Sequence, residues 1–176
     1  AGTSDTTSYT YDLYGRLRTE TSPGGHTLTY DYDALDRPTL VTYPDGTKEQ
    51  FSYQREDGKK ILDLTHHKDR ENRWTLFAYN ALRQRTAIVD PLSRTTRFNW
   101  CYCGSLQDLY DPEGNRTHWS YDIGARLTGK TYADGRQEIY TYDPAGRLDK
   151  ITDAKGQVKT HSYYKDSQLK EIAYSN

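Results

Sequence analysis

The sequence predicts an all-β fold: an antiparallel meander of 21-residue β-hairpin repeats forming a curled or spiral β-strip. Three observations carry that prediction. An aromatic pair at i and i+2 returns at a nearly fixed interval, and a turn string precedes each pair at a fixed distance. A second turn and then a short apolar run follow the pair.

The aromatic pair comes first. Its second member serves as an anchor: Tyr11, Tyr32, Tyr53, Tyr79, Trp100, Tyr121, Tyr142 and Tyr163, with spacings of 21, 21, 26, 21, 21, 21 and 21 residues. Two residues before each stand Tyr9, Tyr30, Phe51, Phe77, Phe98, Trp119, Tyr140 and His161. Residues two apart share one face of a strand, so each anchor closes a strand with one apolar face. The stretch RTTRFNW (94–100) shows the alternation, with Thr96, Phe98 and Trp100 on one face and Thr95, Arg97 and Asn99 on the other. The same reading predicts strands over 94–100, 115–121 and 136–142 in one antiparallel sheet.

The turns come next. Seven residues before each anchor stand Ser4, Gly25, Gly46, Asn72, Ser93, Gly114, Gly135 and Gly156, in strings such as DPEGN (111–115) and YADGR (132–136). These are turn sequences whose last slot suits a positive φ. After the anchor a second turn follows, YDLYGR (11–16) or YDPAGR (142–147), again with Gly where φ > 0 is expected. A short apolar strand completes the unit, as in RTAIVD (85–90), RLTGKTY (126–132) and RLDKITD (147–153). The third unit is longer: FSYQREDGKKILDLTHH (51–67) carries extra residues around Asp57-Gly58. A type I′ hairpin projecting past the rim, an insertion near 54–68, is the expectation there.

Two strands and two turns per unit make each unit a hairpin, and the whole of 1–176 a single repeat array of roughly sixteen strands. Open twisted sheets rarely pass about ten strands without curling or splitting, hence the expected coil. Strands lie about 4.8 Å apart, so anchors of successive units fall about 9.6 Å apart, with a Leu/Ile row such as Ile88, Leu127, Leu148 and Ile151 between them. Alternating Tyr and Leu/Ile rows would form the buried face. A propeller would repeat at the four-stranded blade, twice this period, and a parallel β-helix fits hairpin turns poorly.

Composition narrows the function. Twenty-four basic against 25 acidic residues leave no field for nucleic acid and no polycation for membrane attachment. No apolar run is long enough for a spanning helix. Only 34% of residues are apolar, yet 17 Tyr, 3 Trp and 3 Phe are foreign to disordered chains and able to build a thin, half-wet core.

The phrases YTYDLYGRL (9–17), YDYDALDRP (30–38), WSYDIGARL (119–127) and YTYDPAGRL (140–148), at this period, resemble the RHS or YD repeat family. That family includes bacterial polymorphic toxins, insecticidal toxin complex components and teneurins. The resemblance implies a β-strip wound into a hollow shell wall, with neighbouring repeats of the parent and an enclosed toxin domain as partners, secreted or at the cell surface. The family's RHS-associated core, which closes such shells, has no counterpart in these residues. The chain starts in a turn slot at Ala1 to Ser4 and stops mid-unit in LKEIAYSN (169–176), which reads as the middle of a longer array.

Candidate sites divide into repeated and singular ones. Asp12/Arg16, Asp33/Arg37, Asp122/Arg126 and Asp143/Arg147 each span one turn, and their repetition reads as structure: Asp on turn amides, Arg paired across. Cys101 and Cys103 are singular. With His118 (or His66 and His67) they are the soft-ligand candidates for a metal, but two thiols and a distant histidine fall short of a site, so small apolar turn filler is the expectation. His161 fills an aromatic slot as a core substitute, and His26 belongs to no motif. No phosphate loop, HExxH or GxSxG string occurs, so neither an enzyme nor a cofactor is expected. The function expected is a non-catalytic structural segment, with a carbohydrate-binding adhesion module as the alternative, since tyrosine faces can stack on sugars. Self-association through open strand edges is a further expectation.

Overall fold

The structure, a computed structural model, describes residues 5–175, so the turn slot at Ser4 lies outside the described residues. The chain divides into two compact units, Ala1–Arg94 and Thr95–Asn176. In the first, strands β1 (Ser8–Tyr11), β2 (Leu17–Thr21), β3 (Thr27–Tyr32), β4 (Pro38–Thr42), β5 (Lys48–Ser52), β6 (His66–Lys68), β7 (Trp74–Tyr79) and β8 (Arg85–Val89) follow one another in chain order. In the second, the order is β9 (Thr95–Trp100), β10 (Leu106–Tyr110), β11 (Arg116–Tyr121), β12 (Leu127–Thr131), β13 (Gln137–Tyr142), β14 (Leu148–Thr152), β15 (Val158–Tyr163) and β16 (Leu169–Ser175). Within each unit every neighbouring pair is antiparallel, which is the meander the period implies.

The strands end where the turn chemistry says they should. In the turn before Tyr121, Gly114 N–H donates to the Asp111 carbonyl at 3.0 Å and Asp111 N–H to the Asn115 carbonyl at 3.0 Å. In the turn after Tyr142, Gly146 N–H donates to Asp143 O and Asp143 N–H to Arg147 O, both at 2.8 Å. This pair of bonds, a type I turn closed by a residue in the left-handed region, recurs in both turn series. Gly114 has φ 87° and Gly156 84°, and Gly25, Gly46 and Gly135 are positive too. Asn72 and Ser93 fill the same slot at φ 64° and 61°. In the second series, four residues past the anchor, Asp36, Arg83, Ala125 and Ser167 take φ of 59–68° despite having a Cβ. The register also slips by one residue at the anchors, as between Ser120 and Tyr121 and between Thr141 and Tyr142. That bulge is the local signature of the three-residue loop.

The long unit departs from expectation. Gly58 alone is left-handed there (φ 82°), with Gly58 N–H donating to Arg55 O and Arg55 N–H to Lys59 O, so the turn is the same type as the others. A type I′ turn would need Asp57 at positive φ as well. The insertion is tied back by Thr65, whose amide donates to Ser52 O at 2.7 Å and whose hydroxyl lies 2.7 Å from Gln54 O.

Burial corrects a second expectation. Among the described residues no apolar side chain is fully buried, and the buried ones are Thr65 (4% exposed) and Asp108 (8%). Tyr30, Tyr32, Phe98, Trp100, Trp119, Tyr121, Tyr140 and Tyr142 are half-buried, and Tyr9 and Tyr11 on β1 are exposed. The expected buried Tyr face is therefore a half-covered one. Among the described residues, contacts between strands run only from one strand to the next in sequence, so no second layer covers the rings.

Candidate functional site

What the repeated phrase builds is a link between consecutive units. In the unit anchored on Tyr121, Asp122 Oδ1 accepts from the amides of Gly124 (2.9 Å) and Arg126 (3.0 Å), while Oδ2 accepts Arg126 Nε at 2.7 Å. The guanidinium of Arg126 then lies over the ring of Tyr142, the next anchor, 4.6 Å from its centroid. The Tyr142 hydroxyl donates back to the carbonyl of Leu127 at 2.8 Å. Tyr, Asp, the left-handed slot, Arg and Leu thus each contribute one contact or one backbone conformation to the joint.

The same circuit recurs. Arg147 sits 4.6 Å from the Tyr163 centroid while Tyr163 donates to Leu148 O, and Arg16 sits 4.9 Å from that of Tyr32 while Tyr32 donates to Leu17 O. Arg37 is closest of all, 3.9 Å from the Tyr53 centroid, and its Nη1 also donates to Ile61 O at 2.6 Å inside the insertion. The electrostatics match: hydrogen bonds from the Arg126 amide and guanidinium hold the Asp122 carboxyl below its ordinary range. At Asp33 the Arg37 side chain does the same, against the opposing pull of burial. The Asp–Arg pair within each turn is legible from sequence; that Arg also reaches the tyrosine of the next unit depends on the register.

The repeat also forms Tyr–Glu pairs. Tyr132 and Tyr140 donate to the two oxygens of Glu138 at 2.5 and 2.7 Å. Burial first, and then Glu138, push the Tyr140 phenol up to about 12. Tyr43 and Glu49 repeat the contact at 2.9 Å.

The singular residues fall into separate places. Cys101 and Cys103 are joined in a disulfide, with Cα atoms 5.1 Å apart. This corrects the expectation of turn filler, and it leaves neither sulfur as a thiolate for a metal. Residue types alone could not show it, because pairing depends on the turn bringing i and i+2 together. His118 Nδ1 lies 2.7 Å from Asp108 Oδ1 and 2.9 Å from Arg116 Nη2, while Arg116 Nε donates to Asp108 Oδ1 at 2.7 Å. Burial pushes the Asp108 carboxyl up, but hydrogen bonds from His118 and Arg116 outweigh it and hold it low. His67 stacks on Phe51 and His66 meets Trp74 edge-on. His161 is half-buried, with its Nδ1 unsatisfied. A cleft of about 540 Å³ lies between the insertion (Arg55, Asp57, Ile61) and Leu76, Ala87 and Val89. Among the described residues no cluster of three or more His, Cys, Asp or Glu is placed to hold a metal ion.

Comparison with known proteins agrees with this geometry. The RHS Repeat family model matches residues 11–48 and 123–158. The double-stranded DNA deaminase toxin A of Burkholderia cenocepacia (strain H111) is 30% identical over 129 residues, which is 73% of this chain and 9% of that protein. Among solved structures, TcdB2-TccC3 without its hypervariable C-terminal region superposes with a TM-score of 0.54 at 15% identity, over 96% of this chain and 11% of the other. TcdB2-TccC3-Cdc42 gives 0.53 over the same shares. The chain thus spans about a tenth of the relatives it matches, at 9% and 11% of their lengths. Each matched segment spans a copy of the joint described above, Arg16 to Tyr32 in the first and Arg126 to Tyr142 in the second, so at 11–48 and 123–158 the chain carries RHS repeats.

Proposed function

We propose that this chain is a non-catalytic wall segment of an RHS-repeat shell, which in its parent protein encloses or displays a C-terminal effector. The observation that carries this reading is the inter-repeat circuit. Its conspicuous charged and aromatic groups are spent on joining one unit to the next, in the same way at Arg16, Arg37, Arg126 and Arg147. Catalysis needs one special site, whereas a wall needs the same joint many times. Similarity to a toxin whose name records an enzymatic activity supports an effector elsewhere in the parent, since the match covers 9% of that protein. Secretion or surface display follows from the same reading.

Limited proteolysis of the full-length parent tests the reading. The effector should resist digestion behind an intact array, and become sensitive when Asp122, Arg126, Asp143 and Arg147 are changed together to Ala. Equal digestion in both proteins would sink the proposal. A sugar-binding adhesion role is the second reading, favoured by the exposed rings of Tyr14 (82%) and Tyr164 (54%). Saturable binding on a glycan array, lost when those tyrosines are changed while the fold persists, would replace the wall reading. Exposed turn-tip residues such as Leu13 and Ile123, with edge strands β1 and β16 exposed throughout, also support self-association of the isolated chain. Sedimentation that gave a monomer at all concentrations would remove that part.

A further inference from the structure

The turn after Trp100 carries a covalent tie where four of its equivalents carry an ion pair. After Tyr11, Tyr32, Tyr121 and Tyr142 the turn is clamped by Asp and by Arg four residues on. After Trp100 the same two slots hold Cys101 and Ser105, which cannot form that ion pair. The backbone is nevertheless the same: Cys101 N–H donates to Ser105 O at 2.9 Å, Gly104 N–H donates to Cys101 O at 3.0 Å, and Gly104 has φ 85°. The covalent tie inside this turn is the Cys101–Cys103 disulfide.

The substitution reaches the next strand. Ser105 supplies no guanidinium for the ring of Tyr121, which keeps the hydroxyl bond to Leu106 O at 2.7 Å. Leu106 directly follows the turn, so the hold of Tyr121 on the preceding hairpin depends on how firmly that turn is closed. Cys101 is half-buried, whereas Cys103 and its neighbour Tyr102 are exposed. Exposed disulfides are the labile ones, because exchange requires in-line access of a thiolate to sulfur.

We propose that Cys101–Cys103 is a thiol-exchange site, a reducible staple standing in for the Asp–Arg clamp, through which small thiols and dithiols loosen the β9–β10 hairpin. A reductant thiolate attacks Cys103 Sγ, the S–S bond breaks, and Cys101 Sγ leaves as a thiolate and takes up a proton. A second reductant thiolate attacks the reductant sulfur of the mixed disulfide. Cys103 leaves as a thiolate and is protonated, so two reductant thiols become one disulfide and two electrons pass to the protein. The clamped turns carry no such bond and do not respond.

Dithiothreitol titration of the folded chain tests this, with intact mass reporting the gain of two hydrogens and amide exchange reporting the turns. The expected result is reduction without denaturant and exchange about five-fold faster at 104–110, with 124–126 and 145–147 unchanged. The variant Cys101→Asp/Cys103→Ala/Ser105→Arg should restore the clamp and show exchange independent of reductant. Reduction that occurs only in denaturant, or reduction that leaves exchange at 104–110 unchanged, would overturn the proposal. So would a triple variant that exchanges as fast as the reduced protein while still giving the β spectrum of the parent.

Discussion

Replacing Tyr142 separates the two halves of the inter-repeat joint. Tyr142→Phe removes the hydroxyl that donates to Leu127 O at 2.8 Å and leaves the ring under Arg126. A neutral hydrogen bond of this kind contributes about 1 kcal/mol net. Tyr142→Leu removes the ring as well, and with it a cation–π contact worth about 0.5–1 kcal/mol at an exposed site. The two variants should therefore cost about 1 and about 2 kcal/mol. Arg126→Ala resolves the parts, since Arg126 touches the ring and not the hydroxyl. Its coupling to Tyr142→Leu should be about 0.5–1 kcal/mol, and its coupling to Tyr142→Phe close to zero. Urea unfolding read by far-UV circular dichroism gives the four corners of each cycle, and amide exchange on β12 and β13 shows whether the loss is local. Zero coupling with Tyr142→Leu, or equal coupling with both replacements, would refute the idea that arginine joins the repeats through the ring.

Backbone strain gives opposite signs in the two turn series. Gly114→Val should cost about 1–2 kcal/mol although there is open space around its Cβ position, and Ala125→Gly should gain up to about 1 kcal/mol by relieving φ 59°; thermal melts with the signs reversed would contradict the turn assignment. Asp108→Asn should destabilise by about 1–3 kcal/mol at neutral pH, where Arg116 and His118 lose their charged acceptor. Because the folded carboxyl lies below its ordinary 3.8, that contribution is present above 3.8 and is lost as pH falls through the lower folded value. Unfolding curves that differ equally at pH 7 and pH 2.5 would show another cause. Tyr140 should ionise near 12 in a spectrophotometric titration, and since its ordinary value is 10, stability should fall as pH rises between the two. Tyr140→Phe should abolish that late step, and a normal titration in the parent would deny the Glu138 contact.

Period and turn chemistry made the architecture legible in the sequence. An aromatic pair at i and i+2, returning every 21 residues except across the longer third unit, with Gly, Asn or Ser seven residues before each anchor, defines strand, turn and order without any long-range information. These are local properties: side chains alternate along a strand, and a left-handed slot accepts few residues cheaply. The within-turn partnership of Asp122 and Arg126 was legible for the same reason, four residues apart on one turn. Tertiary structure decided what depends on register between strands. It placed Arg126 over Tyr142 and the Tyr142 hydroxyl on Leu127, fifteen residues away, and it left the aromatic rows half-covered where a core was expected. It gathered Asp108, Arg116 and His118 from two neighbouring strands. It closed Cys101 onto Cys103, because only the turn's curvature brings those sulfurs together. Sequence spacing determines which residues share a face, whereas a one-residue bulge at an anchor determines which of them meet across strands.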